Sequence, residues 1–545
     1  MIPILKRMFV VSILSGLTGL SPIYAAIKDT LVYCVPAAPE GFDGALYAGA
    51  DTHDASSRTI FNRLIYVNPK TGKILPELAT HWIISEDGTE YTFSLAKNIS
   101  FHQSLHFKSA LEALNEPQRL FNADDVLFTF NRILDKEHFY QKALPRAYPG
   151  LGGTDFESNI KSLEKIDEHT IKFTLKDLNS SFLFNLGLDF VSIQSEQYAR
   201  GLVAQHQPEK INHYPIGTGP FIFQTYQKDA VIRYIANPDY FKGAPKIKNL
   251  IFSITPSSIV RVQKILANEC DLISYPPLTS IAELKQDKNL VIDDIPALSL
   301  GYMYLNTANF APLTDPRVRN ALSYAIDRNT IVKEIFYGSA IAAGSFVPIT
   351  SPSHDPSIKP RAFDLDKARA LLKEAGYEDG FNMEVWAIPV QRAAQPDGKR
   401  LAEILQQDWA KIGIKSTIRT SDWAEYLKTA RSGEYKGVTT MGASGTLAPD
   451  SFVTWLRCEA VGKANFAQWC NPEFDELLHR AKTAKTEAER LALYQESQRF
   501  IDAQAPIIPL AYPTNYVAYH KRVKNFEIRA DGALFFDNVV LDDDQ

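Results

Sequence analysis

Two stretches in the N-terminal half place an apolar residue at every second position. Tyr91, Phe93 and Leu95 follow the turn Asp87-Gly88, and Ile171, Phe173 and Leu175 repeat the spacing. A period of two lines one face of a strand, so both stretches are predicted as half-buried strands. Between them Asn122 is a good helix N-cap, with Asp124 and Asp125 in the first turn, where the helix dipole favours them. The second half reads differently. From Asp315-Pro316 onward, Val318, Leu322, Ala325 and Ile326 fall on one helical face, and the segment runs on towards Tyr337 with Gly338 as its stop. Leu371, Leu372 and Ala375 end at Gly376, Leu401, Leu405, Trp409 and Ile412 end at Gly413, and Asn471-Pro472 opens a helix carrying Phe474, Leu477, Leu478 and Ala481. Strand-like runs from Glu384 to Ile388 and from Ile414 to Arg419 lie between these helices. Strand and helix in alternation predict an α/β fold. The rigid Pro215-Ile-Gly-Thr-Gly-Pro220 connection marks a domain crossover.

The first 25 residues do not belong to that pattern. Lys6 and Arg7 precede an apolar stretch from Met8 to Leu20, and Pro22 leads to a small-residue cleavage site after Ala25. This is the layout of a cleaved secretory signal, so the mature chain is expected to be exported. The stretch is short for a membrane anchor. Its loss takes the net charge from −5 to −7. With 58 basic against 63 acidic side chains, nothing suggests a nucleic-acid partner. The chain, 45% apolar overall, is ordinary for a folded protein, and at about 100–200 residues per domain its length suggests about three or four domains, or a large bilobed body.

Export makes Cys34, Cys270, Cys458 and Cys470 candidates for two disulfides. The short loop between Cys458 and Cys470 makes that pair natural and leaves Cys34 with Cys270. Zinc would want closer ligand pairs with a histidine companion. His102 and His106 have helical i, i+4 spacing but follow a predicted strand with no acidic neighbour, so they are read as loop or surface histidines. Gly150-Leu-Gly-Gly153 lacks the dinucleotide-binding register, and no phosphate-cradling GxxxxGK[ST] occurs. Gly442-Ala-Ser-Gly445 is one residue short of the nucleophile elbow of a hydrolase, and it is the one feature that supports a secreted hydrolase. Asp542, Asp543 and Asp544 read as a solvated tail. A binder is expected, with no enzyme activity, no cofactor and no metal.

Longer segments carry a family likeness. Leu31-Val-Tyr-Cys34, Pro39-Glu-Gly-Phe42, Asp54-Ala-Ser-Ser57, Asn62-Arg-Leu64, Leu78-Ala-Thr-His-Trp82 and Ser85-Glu-Asp-Gly88 come first. Asn122-Ala-Asp-Asp-Val126, Pro215 to Phe221, Asn268-Glu-Cys270, Arg317-Val-Arg319, Ala321-Leu322 and Pro389-Val-Gln-Arg392 follow. In this order they resemble the periplasmic dipeptide- and oligopeptide-binding proteins of ABC importers, solute-binding protein family five, and its dipeptide-binding branch in particular. The four cysteines fall where that branch has its two bridges. The resemblance implies a type II periplasmic-binding-protein fold, bilobed, with the three-domain (cluster C) architecture. Domain I would combine residues 26–62, 215–297 and 515–545, domain II would be the insertion 63–214, and domain III would span 298–514. A peptide or peptide-like solute would lie between domains I and III, which close by hinge bending. The closed monomer would dock on permease subunits served by separate ATPase subunits.

The resemblance also assigns a pocket. A buried zwitterion needs a cation for its carboxylate and an anion for its ammonium. The branch holds the carboxylate with the Arg of a P-V-Q-R segment, which matches Arg392, followed here by Ala393 and Ala394 where a second aromatic is expected. For the ammonium it uses a G-W-x-G-D segment. This chain has Ala443 for the Trp and Thr446 for the Asp, around Ser444 and Gly445, in a loop one residue shorter; Asp450 aligns with a later shared Asp. Three accounts stay open. Asp51, in Ala48-Gly49-Ala50-Asp51, could replace the lost anion, the gap in the shorter loop could fall elsewhere, or the specificity could have changed. The joint loss of two aromatics and the acid favours changed specificity, towards a longer or N-blocked peptide or another carboxylate solute. Haem or an antimicrobial cationic peptide are the alternatives that the same fold would accommodate. A periplasmic chaperone or receptor would be a third class.

Overall fold

The computed structural model describes residues 28–148 and 156–542. The expected export signal, Gly150-Leu-Gly-Gly153 and the last residues of the acidic tail lie outside them. The organising element is the strand Ile507–His520, which takes part in both halves of one mixed, twelve-stranded sheet. Early in the strand, Ile508 sits opposite Met303 of the antiparallel strand Ser299–Leu305; late in it, Ala518 sits opposite Ile273 of Leu272–Ser274. Beyond Ser299–Leu305 lie Gly437–Ser444, Asn382–Trp386 and Lys415–Arg419 in turn. Beyond Leu272–Ser274 lie Thr30–Val35, Asn249–Ile254, Val231–Ala236 and Phe221–Gln227.

Parallel pairing appears where the sequence alternates strand and helix. Thr30–Val35 runs parallel to both of its neighbours, and five of its six residues are buried. Such a strand has no solvent face, which is why it reads as a continuous apolar run rather than an alternating one. Asn382–Trp386 is likewise parallel to Lys415–Arg419 and to Gly437–Ser444. The alternating stretches behave in the opposite way. Glu90–Leu95 and Thr170–Leu175 pair antiparallel, Tyr91 opposite Phe173, in a separate four-stranded sheet with one buried face.

Most helix boundaries follow the local chemistry. Asn122 caps Ala123–Leu134 and shares a reciprocal capping box with Asp125. Asp315 caps Pro316–Tyr324, and Asn471 caps Pro472–Thr483. The helix expected to run from Pro316 towards Tyr337 is instead two. Asp327 accepts hydrogen bonds from Asn329 and Thr330 and so starts a second helix, Arg328–Glu334. His102 also departs from expectation. It is buried, its Nε2 meets the Gly219 carbonyl at 2.9 Å, and burial pushes its imidazole down to about 4, so it is a neutral interior histidine. His106 stacks on Tyr214.

Two disulfides and one buried ion pair tie the chain to itself, and all but the local Cys458–Cys470 bridge join distant segments. Cys34 is bridged to Cys270 and Cys458 to Cys470. The first bridge fixes the N-terminal strand to the connection between the helix Ser258–Leu266 and the strand Leu272–Ser274, both cysteines being buried. Gly217 and Gly219 let the crossover run directly against the Ile60 backbone, where any Cβ would come within about 2.5 Å of the Ile60 carbonyl group. Finally, Asp43 accepts from Arg132 and from Gln194, at 2.9 Å in each case, with both charged groups almost wholly buried. Taking away one member of such a pair leaves the other charged and unsolvated. Arg132→Met is therefore expected to lower unfolding stability in a denaturant titration by about 3–5 kcal/mol.

Candidate functional site

The turn that carries Arg392 is seated on the sheet rather than free. Arg392 and Gln395 exchange two backbone hydrogen bonds, at 3.1 and 3.0 Å. Behind them Ala394 is buried against Gly301 and Gly442, whose missing side chains admit it: a Cβ on Gly301 would meet the Ala394 carbonyl oxygen at 2.4 Å. This docks the turn, through Ala394 and Gln395, against Gly442 near the end of Gly437–Ser444. Ala394 itself faces the sheet. Arg392 and Ala393 are exposed, and the guanidinium lies over the Trp423 ring at 5.2 Å with no ion pair among the described residues.

Ala443 and Ser444 end their strand opposite Leu300 and Ser299. Ser444 is exposed, and no hydrogen bond joins it to a histidine among the described residues. Thr446 stands at the entrance of a cavity of about 200 Å3. Its hydroxyl accepts from the Ala448 N–H, and its own N–H donates to Ser451 at 2.7 Å, so the loop is internally satisfied without an acid. Across the cavity stand Ala48, Ala50 and His53 of the N-terminal segment, with Phe184 and Asp189 of the insertion and Arg529 of the C-terminal segment. The structure thus brings Ala48, Gly445 and Thr446 to one space. Gly49 is turned towards Glu40, and Asp51 is outside the lining.

The floor of this cavity is a lattice of charges that sequence reading missed. Asp189 accepts from Arg58 at 2.8 Å and from Arg63 at 2.7 Å, with His53 Nδ1 at 3.5 Å. Burial pushes the Asp189 carboxyl up, but Arg58, His53 and Arg63 outweigh it and hold the group well below the usual carboxylate range. Arg58 also pairs with Asp54, which in turn accepts from the Leu534 N–H. Arg529 forms a bidentate pair with Asp531 at 2.8 and 3.1 Å and donates to the Tyr66 hydroxyl. Every guanidinium here already has a carboxylate. These residues are scattered from position 53 to 531, so no local spacing could have joined them. On the far side of Arg58, Arg63 and Arg529 lies a larger, polar cavity of about 530 Å3, bordered by Glu77, Tyr240 and Lys242 and by none of the residues expected from sequence.

Asp51 is the exception to this pairing. It starts the helix Ala50–Ala55, and no described hydrogen bond reaches its side chain. Burial first, and the charge of Asp54 second, push its carboxyl up to about 7, with Arg261 and Arg58 opposing. A carboxyl raised by folding holds its proton more tightly in the native state. The stability this lends is present at low pH and is lost as pH rises from the ordinary carboxylate range through about 7. Asp51→Asn should therefore raise the melting temperature above pH 7 and leave it nearly unchanged at about pH 4, as thermal unfolding across pH would read.

Comparison with known proteins follows from this geometry. The description "bacterial extracellular solute-binding proteins, family 5 Middle" matches residues 73–463. The chain is similar to di/tripeptide-binding protein 1 of Pseudomonas aeruginosa, at 40% identity over 521 residues that cover 95% of each. It is also similar to heme-binding protein A of Haemophilus influenzae, at 38% identity over 92% of this chain and 90% of the relative. Among solved structures, the dipeptide-binding protein of Pseudoalteromonas sp. SM9913 in complex with Met-Leu superposes with a TM-score of 0.77 at 33% identity, covering 94% of this chain and 100% of that one.

Proposed function

The chain belongs to the bacterial extracellular solute-binding proteins of family 5, and we propose that it captures a small peptide in the periplasm for an ABC-type importer. Its α/β fold is the bilobed, type II arrangement of periplasmic binding proteins. No helix among the described residues is long and apolar enough to cross a membrane. In this reading residues 26–62, 215–297 and 515–545 form domain I, 63–214 the insertion and 298–514 domain III. The N-terminal signal is cleaved on export. The protein works as a monomer that hands its ligand to membrane permease subunits.

One observation carries the reading: Arg392 is a cation without a carboxylate. The arginines that line the cavity, Arg58, Arg63 and Arg529, are each paired with a carboxylate, whereas Arg392 stands exposed on a fixed turn that packs on Gly442, just before Ala443. A planar, permanently charged fork in that state is suited to the terminal carboxylate of a peptide. The ligand's other end then lies towards Gly445, Thr446 and Ala48, in the cavity of about 200 Å3. With Thr446 in place of an acid, that end is recognised without a fixed negative charge. This favours an N-blocked ligand, or one with another residue beyond the amine.

Haem, which one relative's name mentions, fits less well. The cavity lies below the ~300–1,000 Å3 of pockets that enclose drug-sized ligands. His53, which borders it, has both ring nitrogens engaged, Nε2 with the Tyr47 carbonyl at 3.0 Å and Nδ1 near Asp189. The test is calorimetry with dipeptides. Arg392→Ala should weaken binding by about 2 kcal/mol or more, as loss of one partner of a desolvated charge pair does, and Thr446→Asp should improve affinity for unblocked dipeptides. Tight dipeptide binding by the parent that is indifferent to Arg392→Ala would sink the pocket assignment.

A further inference from the structure

We infer that Trp423 is a positioning residue for ligand binding: its indole holds the Arg392 guanidinium ready for a carboxylate. The inference rests on the reading of Arg392 just given and adds to it a residue outside the Pro389–Arg392 segment. Arginine is long and flexible, and an exposed one must be ordered before it can bind, which subtracts from affinity. The turn fixes the Arg392 backbone but not its side chain. What does fix it is Trp423, whose ring lies 5.2 Å from the guanidinium carbon. A guanidinium held over an aromatic face keeps its in-plane N–H edge free for a carboxylate fork.

The indole is itself anchored. Trp423 is the first residue of the helix Trp423–Ser432, whose start is fixed by the Asp422 side chain accepting from Ala424 and Glu425. It stacks on Tyr426 with ring centres 5.8 Å apart and planes 15° from parallel. Tyr426 is buried, and its hydroxyl approaches the Thr440 carbonyl at 2.6 Å and the Trp386 carbonyl at 3.2 Å. Those two carbonyls belong to the strands Gly437–Ser444 and Asn382–Trp386, which lead respectively into the Ala443–Thr446 segment and the Arg392 turn. The column Arg392–Trp423–Tyr426 therefore stands on the same two strands that deliver both sides of the site. Its foot sets the height at which the cation waits.

The experiment compares Met-Leu with Met-Leu carboxamide by calorimetry, in the parent, Trp423→Ala, Trp423→Phe, Arg392→Ala and the Trp423→Ala/Arg392→Ala double variant. Trp423→Ala should weaken Met-Leu by about two- to fivefold, the worth of an exposed cation–π contact. It should leave the carboxamide unchanged, add nothing in the Arg392→Ala background, and be largely rescued by Trp423→Phe. Equal losses for acid and amide, or a full loss in the Arg392→Ala background, would show a merely structural tryptophan and overturn the inference. If unblocked Met-Leu is not bound, N-acetyl-Met-Leu and its carboxamide take its place in the same comparison. If Arg392→Ala costs nothing, the reading of Arg392 fails instead. Labelling of the ligand-free protein with phenylglyoxal, read by peptide mass spectrometry, then decides the inference alone. Faster modification of Arg392 in Trp423→Ala supports it, and an unchanged rate overturns it.

Discussion

One strand belongs to both halves of the molecule, and most of the architecture follows from that constraint. Ile507–His520 is fourteen residues long and pairs with Ser299–Leu305 near its start and with Leu272–Ser274 near its end. It also pairs with Ala340–Ala342 over Ala511–Pro513 and with Leu290–Pro296 over Thr514–His520. A backbone hydrogen-bonded on both sides cannot drift in register without turning its apolar set to the wrong face. The two halves are thus connected through one well-registered element, and the polypeptide that forms the cleft between them is laid out from its edges. A clamp needs such a joint: stiff within each half and continuous across it.

Around the cleft, electrostatics divides the arginines into two kinds. Arg58, Arg63 and Arg529 are locked to Asp54, Asp189 and Asp531, and the locks tie the N-terminal helix, the insertion and the C-terminal segment to one another. They are structural charges, with little left for a ligand. Arg392 is the other kind, ordered by an aromatic face and by its turn but not neutralised. In the proposed function that contrast, rather than the number of charges, is what singles out Arg392 for the ligand. Thr446 adds the second half of the distinction, because its loop is satisfied by Ser451 and Ala448 alone.

Much of the fold was legible because its signals are local. The alternation at Tyr91–Leu95 and Ile171–Leu175 gave paired strands, and capping residues such as Asn122 and Asn471 gave helix starts. The pattern misled where a cap interrupts an apolar stripe, as Asp327 does after Ile326, and where an interior histidine looks polar in sequence, as His102 does. The site was legible only in part. Arg392 and Thr446 could be placed by resemblance, but the inward orientation of Ala394 depends on two glycines, Gly301 and Gly442, far apart in the chain. The Asp189 lattice and the Trp423 column are products of tertiary contact, and no spacing announces them.

The central claim is that the cleft holds a small peptide by its free carboxylate. Native mass spectrometry of the protein, purified gently from the periplasm of a producing cell, tests it most directly. The account predicts a bound species with the mass of a short peptide, blocked or extended at its amine end and ending in a free carboxyl group. A bound haem, or a ligand that carries no carboxylate, would contradict it.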